Sequence, residues 1–248
     1  MNGHDYIAQI LKQEGVEWMS CFPSNPLITA AAKIGIRPIA FRHERGAVMA
    51  ADGFSRISDR QRFGVVAVQS QAGAENAMGG IAQAYADNIP VLVFLGGNTL
   101  DRLSVKPNFS AARNYQGWVK QVEAIYTPNQ VADVMRRAFH GLRNGTPGPV
   151  VVELTADVCS QEVPAEMQTY ASPKATRQVP EPADIAAAEP PSAWQPPTSA
   201  AKLQCVAMKT PIIPAASIPL AISASSSSID SPMARHVAGS AAQAPAVG

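Results

Sequence analysis

A glutamate at the start of a small-residue helix is the first candidate for chemistry. Glu44 lies in the stretch RHERGAVMAADGFSR, residues 42–56, directly after the apolar run IRPIAF. If a helix begins with this stretch, three apolar residues share its face at helical spacing: Ala47, Val48 and Ala51. The glutamate then leads the stripe that packs on the core. It either offsets the helix dipole, which favours acids in the first turn, or serves as a partly desolvated carboxylate at a ligand site.

Further polar side chains occupy the loop QSQAGAEN, which follows the β-rich run FGVVAVQ. Gln69 and Gln71 come directly after that strand pattern, where a ligand contact is one of two open roles. Gly73 permits a close approach of the backbone to a ligand or a tight turn into the next helix. Asn76 is either a ligand contact or a polar residue in the first turn of that helix.

Four more candidates precede this loop. Ser24 and Asn25, in FPSNP, could shape a substrate pocket, or one of them could cap a helix that has Pro26 at its first position. His43 is a proton carrier near neutral pH or a helix-entry residue. Asp52, followed by glycine, faces a substrate or forms a structural turn or helix end.

These residues lie between segments that alternate in pattern up to about residue 165. The strand patterns are short and almost wholly apolar: VEWMSCF, IRPIAF, FGVVAVQ, IPVLVFLGG and GPVVVEL. Separated by helical patterns, they predict an α/β fold, a mostly parallel sheet with helices on both faces. Ligands of such sheets bind beyond the carboxyl ends of the strands. The functional loops are therefore predicted to be FPSNP, FRHE, VQSQAG and LGGN.

Composition excludes several functional classes. A net charge of +1 on 248 residues gives no footprint of nucleic-acid or membrane-surface binding. No segment reaches the roughly 20 apolar residues that span a bilayer, and the amphipathic N-terminus lacks signal-peptide features. The three cysteines, Cys21, Cys159 and Cys205, lack metal-site spacing and predict free thiols. We therefore expect a cytoplasmic protein with no metal site, no nucleic acid and no membrane partner.

The order of the motifs resembles the N-terminal, pyrimidine-binding domain of thiamine-diphosphate enzymes of the acetolactate synthase and 2-oxo acid decarboxylase group. The family has Ala-Asp-Gly-aromatic-Ala-Arg after its glutamate, and this chain has ADGFSR at residues 51–56. The family then has Gly-Pro-Gly followed by an asparagine, where this chain has Gln-Ala-Gly at residues 71–73 and Asn76. GIA, AY, D and PVL follow in the family's order. The likeness covers about residues 4–165.

The resemblance implies a role for the opening glutamate. In the family, this residue hydrogen-bonds ring nitrogen N1′ of the cofactor's aminopyrimidine and shares a proton with it, so general acid–base catalysis is relayed through the cofactor. The implied contacts to thiamine diphosphate are Glu44, Gln69, Gly73 and Asn76. The candidate contacts to a small 2-oxo acid are Ser24, Asn25, His43 and Gln71. Gln-Ala in place of Gly-Pro leaves the shape of that loop open.

Family members hold Mg²⁺ and the diphosphate through a second domain that carries Gly-Asp-Gly, and this sequence contains no Gly-Asp-Gly. The family's middle domain, which sometimes holds a flavin, has no counterpart either. We therefore expect one half of a cofactor site, inactive alone, that works in a homodimer or with a chain carrying the diphosphate-binding domain.

Residues 166–248 are predicted to be a linker and a low-complexity, disordered tail. The segment has frequent prolines, a serine run and, after Ser172, a single aromatic residue, Trp194. Family likeness ends after about Ala188, which suggests a frameshift or a truncated gene. Translating the coding DNA beyond codon 188 in the other two frames tests this hypothesis, since a frameshift predicts apolar strands and a Gly-Asp-Gly there.

Three functions stay open on sequence. The chain is the cofactor-binding portion of an acetolactate-synthase-like lyase or transferase acting on 2-oxo acids, or the pyrimidine-domain subunit of a two-chain 2-oxo acid decarboxylase. The third is a non-catalytic assembly module that kept the fold and lost the chemistry.

Overall fold

The computed structural model describes residues 1–59, 61–176 and 179–187. The chain divides into two compact units, Met1–Pro180 and Glu181–Gly248. Within the described part of the second unit there is a short helix, α8 (Pro182–Ala187). The sheet and the candidate site belong to the first unit.

In the described part of the first unit, six parallel strands form one sheet. They are β1 (Trp18–Cys21), β2 (Arg37–Ala40), β3 (Gly64–Val68), β4 (Val91–Gly96), β5 (Gln121–Ile125) and β6 (Val150–Leu154). Their order across the sheet is β2-β1-β3-β4-β6-β5. All the carboxyl ends of the strands therefore meet at one edge, as the sequence predicted.

Helices cover both faces of this sheet. They are α1 (Gly3–Gln13), α2 (Pro26–Lys33), α3 (Glu44–Ile57), α4 (Ala72–Ala86), α5 (Ala111–Asn114), α6 (Val131–Arg143) and α7 (Ala156–Cys159). Strand β3 shows how the layers form. Val65 and Ala67 join the core under α1, α2 and α6, whereas Val66 and Val68 join the core under α3 and α4. Alternate side chains of a strand point to opposite faces, so the predicted α/β fold is confirmed.

The edge strand β2 is exposed along its whole length. The N–H groups of Arg37 and Phe41 donate to the carbonyls of Glu17 and Cys21 in the direction of β1, at 2.9 and 2.8 Å. Since backbone groups alternate between the two sides of a strand, Pro38 faces outward. The free side of β2 therefore has a proline at a position where another residue would present an N–H donor.

Two elements differ from the sequence analysis. Strand β5, QVEAI, was not predicted, because its polar residues Gln121 and Glu123 break the apolar pattern of a half-buried edge strand. Asp52 and Gly53 lie inside α3 rather than in a turn or at a helix end. The Asp52 carboxylate accepts a hydrogen bond from Arg56 Nε at 2.8 Å, one helical turn further on.

The first unit continues beyond the predicted boundary at residue 165. The backbone N–H of Tyr170 donates to the hydroxyl of Tyr6 at 3.0 Å, and Arg143 Nη1 donates to Ser172 Oγ at 2.9 Å. The segment assigned to a linker thus packs on the domain up to about residue 176. The low-complexity tail and the frameshift hypothesis concern residues that lie mostly outside the described ranges.

Within the described residues, no helix combines the length and apolarity that crossing a bilayer requires. Cys21 and Cys159 are free and buried, as the sequence predicted for its thiols. Burial raises the pKa of Cys159 to about 12, so this thiol is inert. Cys205 lies outside the described ranges.

Candidate functional site

Glu44 is the first residue of α3, at the carboxyl edge of the sheet. Helix α3 starts here because His43 is extended, with φ −153°, and its Nδ1 accepts a hydrogen bond from the Arg45 N–H at 3.1 Å. His43 itself stays exposed. The structure therefore gives His43 the helix-entry role that the sequence left open. This cap fixes the start of α3 and with it the position of the Glu44 carboxylate.

The Glu44 residue is only 4% exposed although it lies at a helix end. Its Oε2 accepts a hydrogen bond from Nδ2 of Asn76, on α4, at 3.1 Å. The two helices approach closely because small residues line their contact. A Cβ added at Gly80, for example, would lie 3.0 Å from the Cβ of Val48. Burial leaves the carboxylate with a protein donor on one oxygen and little water.

Gly73 completes the wall beside this carboxylate. A Cβ at this position would lie 2.6 Å from Cβ of Gln69 and 3.1 Å from Oε1 of Glu44. Only glycine lets the backbone of α4 come this close. The stem of Gln69 and the carboxylate of Glu44 therefore lie beside the same face of Gly73, a position that the sequence left open between a close approach to a ligand and a tight turn.

Gln69 also faces a crevice of about 280 Å³ at the carboxyl ends of four strands. Its lining includes His4, Ser24, Ser70, Gly96 and Gly97. The crevice lies where β1 and β3 are neighbours and the chain direction across the sheet reverses, which is where open α/β sheets bind ligands. Three of the predicted functional loops thus surround a single opening.

Asn25 is a structural residue of this edge. Its Oδ1 accepts from the N–H of Leu27 at 3.1 Å, capping α2 with Pro26 at the first position. Its Nδ2 donates to the carbonyl of Val68 at 3.1 Å, which ties the start of α2 to the end of β3. The capping interpretation is correct for Asn25. Its neighbour Ser24 is exposed at the crevice, with φ 136°.

Gln71 adopts φ 53° and ψ −113° and has no capping bond to α4. Its side chain instead bonds the segment after β4. Oε1 accepts from the N–H of Phe109 at 3.0 Å, and Nε2 donates to Oδ1 of Asn108 at 3.1 Å. Residues 99–112 were not predicted to belong to the site, because that stretch has no regular period.

Two buried polar residues of this edge were also missed. Glu153 on β6 is 3% exposed, and its Oε2 accepts from Ser110 Oγ at 3.2 Å and from the Ala112 N–H at 2.9 Å. An acid inside the otherwise apolar run GPVVVEL was the signal for it. His4 on α1 is 6% exposed. Burial lowers the pKa of His4, although Asp5 and a hydrogen bond to the Cys159 carbonyl act in the opposite direction.

Fold and site together define an α/β ligand-binding domain that presents one buried carboxylate at the carboxyl edge of a parallel sheet. Comparison with known proteins agrees with this class of domain. Residues 1–124, half of the chain, match the family model of the thiamine pyrophosphate enzyme N-terminal TPP binding domain. The chain belongs to this family.

Three relatives illustrate the similarity. The acetolactate synthase large subunit of Lactococcus lactis is 36% identical over 170 residues, which are 65% of this chain and 29% of the relative. The acetolactate synthase isozyme 3 large subunit of Escherichia coli is 32% identical over 70% of this chain and 30% of its own length. Human 2-hydroxyacyl-CoA lyase 2 is 31% identical over 63% of this chain and 25% of its own length. The chain thus matches between a quarter and a third of these relatives.

Proposed function

We propose that this chain binds the aminopyrimidine of thiamine diphosphate through Glu44, as the pyrimidine-binding portion of an acetolactate-synthase-like lyase or transferase acting on 2-oxo acids. The observation that carries the proposal is a carboxylate 4% exposed at the first residue of α3, with one oxygen bonded to Asn76. When bound, thiamine diphosphate supplies the carbanion stabilisation that 2-oxo acid chemistry requires.

The described residues suit an aminopyrimidine. The Asn76 amide fixes Oε2 of Glu44, so that Oε1 is the oxygen left to exchange a proton with a ring nitrogen. The backbone N–H groups at the start of α3 favour the negative charge of the carboxylate. The absence of a side chain at Gly73 leaves room beside Oε1, where a Cβ would lie 3.1 Å away. Gln69 and Ser24 border the adjoining crevice, where we place the 2-oxo acid.

We infer that Mg²⁺ and the diphosphate are held by a domain other than this one. Among the described residues, no group of three or more histidine, cysteine or acidic side chains is placed to hold a metal ion. A chain carrying the diphosphate-binding domain would complete the site in the cytoplasm, with this chain bound to it singly or as a homodimer. On this account the chain alone has negligible turnover with pyruvate, thiamine diphosphate and Mg²⁺.

Binding of the bare heterocycle tests the role of Glu44. The probe is 4-amino-5-hydroxymethyl-2-methylpyrimidine, titrated into the full chain and followed by the amide NMR signals of Gly73 and Asn76. We expect saturable shifts in the wild type and at least tenfold weaker binding in Glu44→Gln, which keeps the shape but cannot take a proton. Glu75→Gln, on an exposed neighbour, is the matched control. Equal binding by Glu44→Gln and the wild type would refute the proposal.

Reconstitution with a chain that carries the diphosphate-binding domain separates the remaining functions. Release of carbon dioxide from pyruvate with an aldehyde as the organic product, dependent on both chains and on Glu44, supports a subunit of a two-chain 2-oxo acid decarboxylase. Formation of an acetohydroxy acid supports the acetolactate-synthase-like function. Assembly that is indifferent to Glu44→Gln, with no turnover, supports a non-catalytic module.

A further inference from the structure

Gln71 occupies a backbone conformation that residues with a side chain rarely adopt. Its φ is 53° and its ψ is −113°, a region that glycine enters without strain. The resemblance places glycine at this position, where this chain has Gln-Ala-Gly at residues 71–73. Strained conformations persist only where the surroundings stabilise them. The side chain gained by the substitution must therefore supply compensating contacts.

Those contacts are made with two adjacent residues of the segment after β4, Asn108 and Phe109. The side-chain amide of Gln71 bonds both backbone groups of Phe109. Oε1 accepts from its N–H at 3.0 Å, and Nε2 lies 3.4 Å from its carbonyl oxygen. Nε2 also donates to Oδ1 of Asn108 at 3.1 Å. The amide thus bonds the backbone of Phe109 much as a neighbouring strand would.

The segment that Gln71 holds, residues 98–112, is here called the arch. Asn108 joins its two parts, since its Oδ1 accepts from Asn98 Nδ2 at 2.8 Å and its Nδ2 donates to the Leu103 carbonyl at 2.9 Å. Further along, the buried carboxylate of Glu153 accepts from Ser110 and Ala112. The arch is therefore fixed to the carboxyl ends of β3, β4 and β6.

The anchor of the arch is close in sequence to the glycine that lies beside the Glu44 carboxylate. Gln71 precedes Gly73 by two residues, and Gly73 is the residue whose Cβ would lie 3.1 Å from Oε1 of Glu44. We propose that Gln71 is a positioning residue that holds the arch, through Phe109, as a wall of the aminopyrimidine site. This inference rests on the proposed function, because it assumes that the site beside Glu44 takes that ring.

Two variants separate the side-chain bonds from the backbone strain. Gln71→Met keeps the length and the strained φ but removes the amide, whereas Gln71→Gly removes the amide and the strain together. We expect amide hydrogen exchange at Phe109 to be at least tenfold faster in both variants. We also expect both to bind the aminopyrimidine probe at least fivefold more weakly, although Gln71→Gly resists urea better than Gln71→Met. Gln61→Met makes the same change at an exposed residue before β3, near the amino ends of the strands. It should alter neither the exchange at Phe109 nor the affinity for the probe.

The two readouts distinguish the possible failures. Unchanged exchange at Phe109 in Gln71→Met would show that the arch is not held by this residue. Fast exchange with wild-type probe affinity would show that the arch is no wall of the site. Probe affinity that follows urea resistance, so that the glycine variant binds like the wild type, would reduce the role of Gln71 to stability. A wild type that does not bind the probe would overturn the proposed function, and with it the ring-binding role of the arch.

Discussion

Asn76 Nδ2 lies 3.1 Å from Oε2 of Glu44 and joins the N-terminal part of α4 to the first residue of α3. This bond determines which carboxylate oxygen stays available to a ligand. It also places Asn76, which the sequence left open as a ligand contact or a polar residue of the first helical turn, beside the Glu44 carboxylate. Asn76 is otherwise exposed, so its contribution is one of orientation.

Removing this donor should weaken ligand binding without unfolding the domain. Hydrogen bonds to charged groups contribute about 1.5–3 kcal/mol when buried, and partial exposure of Asn76 reduces this to about 1 kcal/mol, or roughly fivefold in Kd. We expect Asn76→Ala to lose about this much affinity for the aminopyrimidine probe in an NMR titration. Glu75→Ala, one residue earlier and exposed, serves as control. Wild-type affinity in Asn76→Ala would show that Glu44 needs no partner.

Two glycine-to-alanine changes should move stability in opposite directions. A Cβ at Gly73 would lie 2.6 Å from Cβ of Gln69, so Gly73→Ala must displace β3 or α4 and is expected to cost about 1–3 kcal/mol. A Cβ at Gly53, inside α3, meets nothing within 4 Å, and Gly53→Ala should add about 0.5–1 kcal/mol. Urea denaturation measures both. Equal effects of the two changes would contradict the close approach at Gly73.

The FPSNP loop offers a second pair with opposite signs. Asn25→Ala removes the cap of α2 and leaves the buried Val68 carbonyl without its donor. We expect a loss of about 2–3 kcal/mol from these two effects. Ser24→Gly relieves φ 136° and should stabilise the domain by about 0.5–1 kcal/mol. Thermal or urea unfolding checks both values. An Asn25→Ala variant as stable as the wild type would argue against the two hydrogen bonds of the Asn25 side chain.

His4 should make stability depend on pH below neutrality. Burial holds its pKa below the ordinary value of about 6.5 in the folded state. The unfolded chain therefore binds the proton more readily, and the contribution of neutral His4 is complete above about pH 6.5 and declines as the pH falls. We expect the urea midpoint of the wild type to drop more between pH 7.5 and pH 5.5 than that of His4→Gln. Parallel pH profiles would show that His4 does not titrate differently on folding.

Sequence reasoning found what depends on local pattern. The apolar strands and a helix beginning near Arg42 follow from spacing and propensity, and the structure has both, with the helix starting at Glu44. The cap of α2 was left open between Ser24 and Asn25, and the structure gives it to Asn25. The burial of Glu44 also agrees with its place at the head of an apolar stripe.

Contacts between segments that are far apart in the chain could not be predicted from the sequence. The arch has no period, and its attachment to Gln71 and Glu153 arises because parallel strands bring their carboxyl ends together from separate parts of the chain. Strand β5 was missed for a related reason. An edge strand that is buried on part of its surface tolerates polar residues, and only pairing with β6 reveals it.

The outward position of Pro38 on β2 bears on how copies of this domain can associate. Strand addition requires a continuous row of backbone donors and acceptors along a free sheet margin, and proline interrupts that row. Polymers built by extending the sheet past β2 are therefore disfavoured. The other free margin of the sheet, β5, has the sequence QVEAI without a proline, so any extension of the sheet by a further strand is directed to that side.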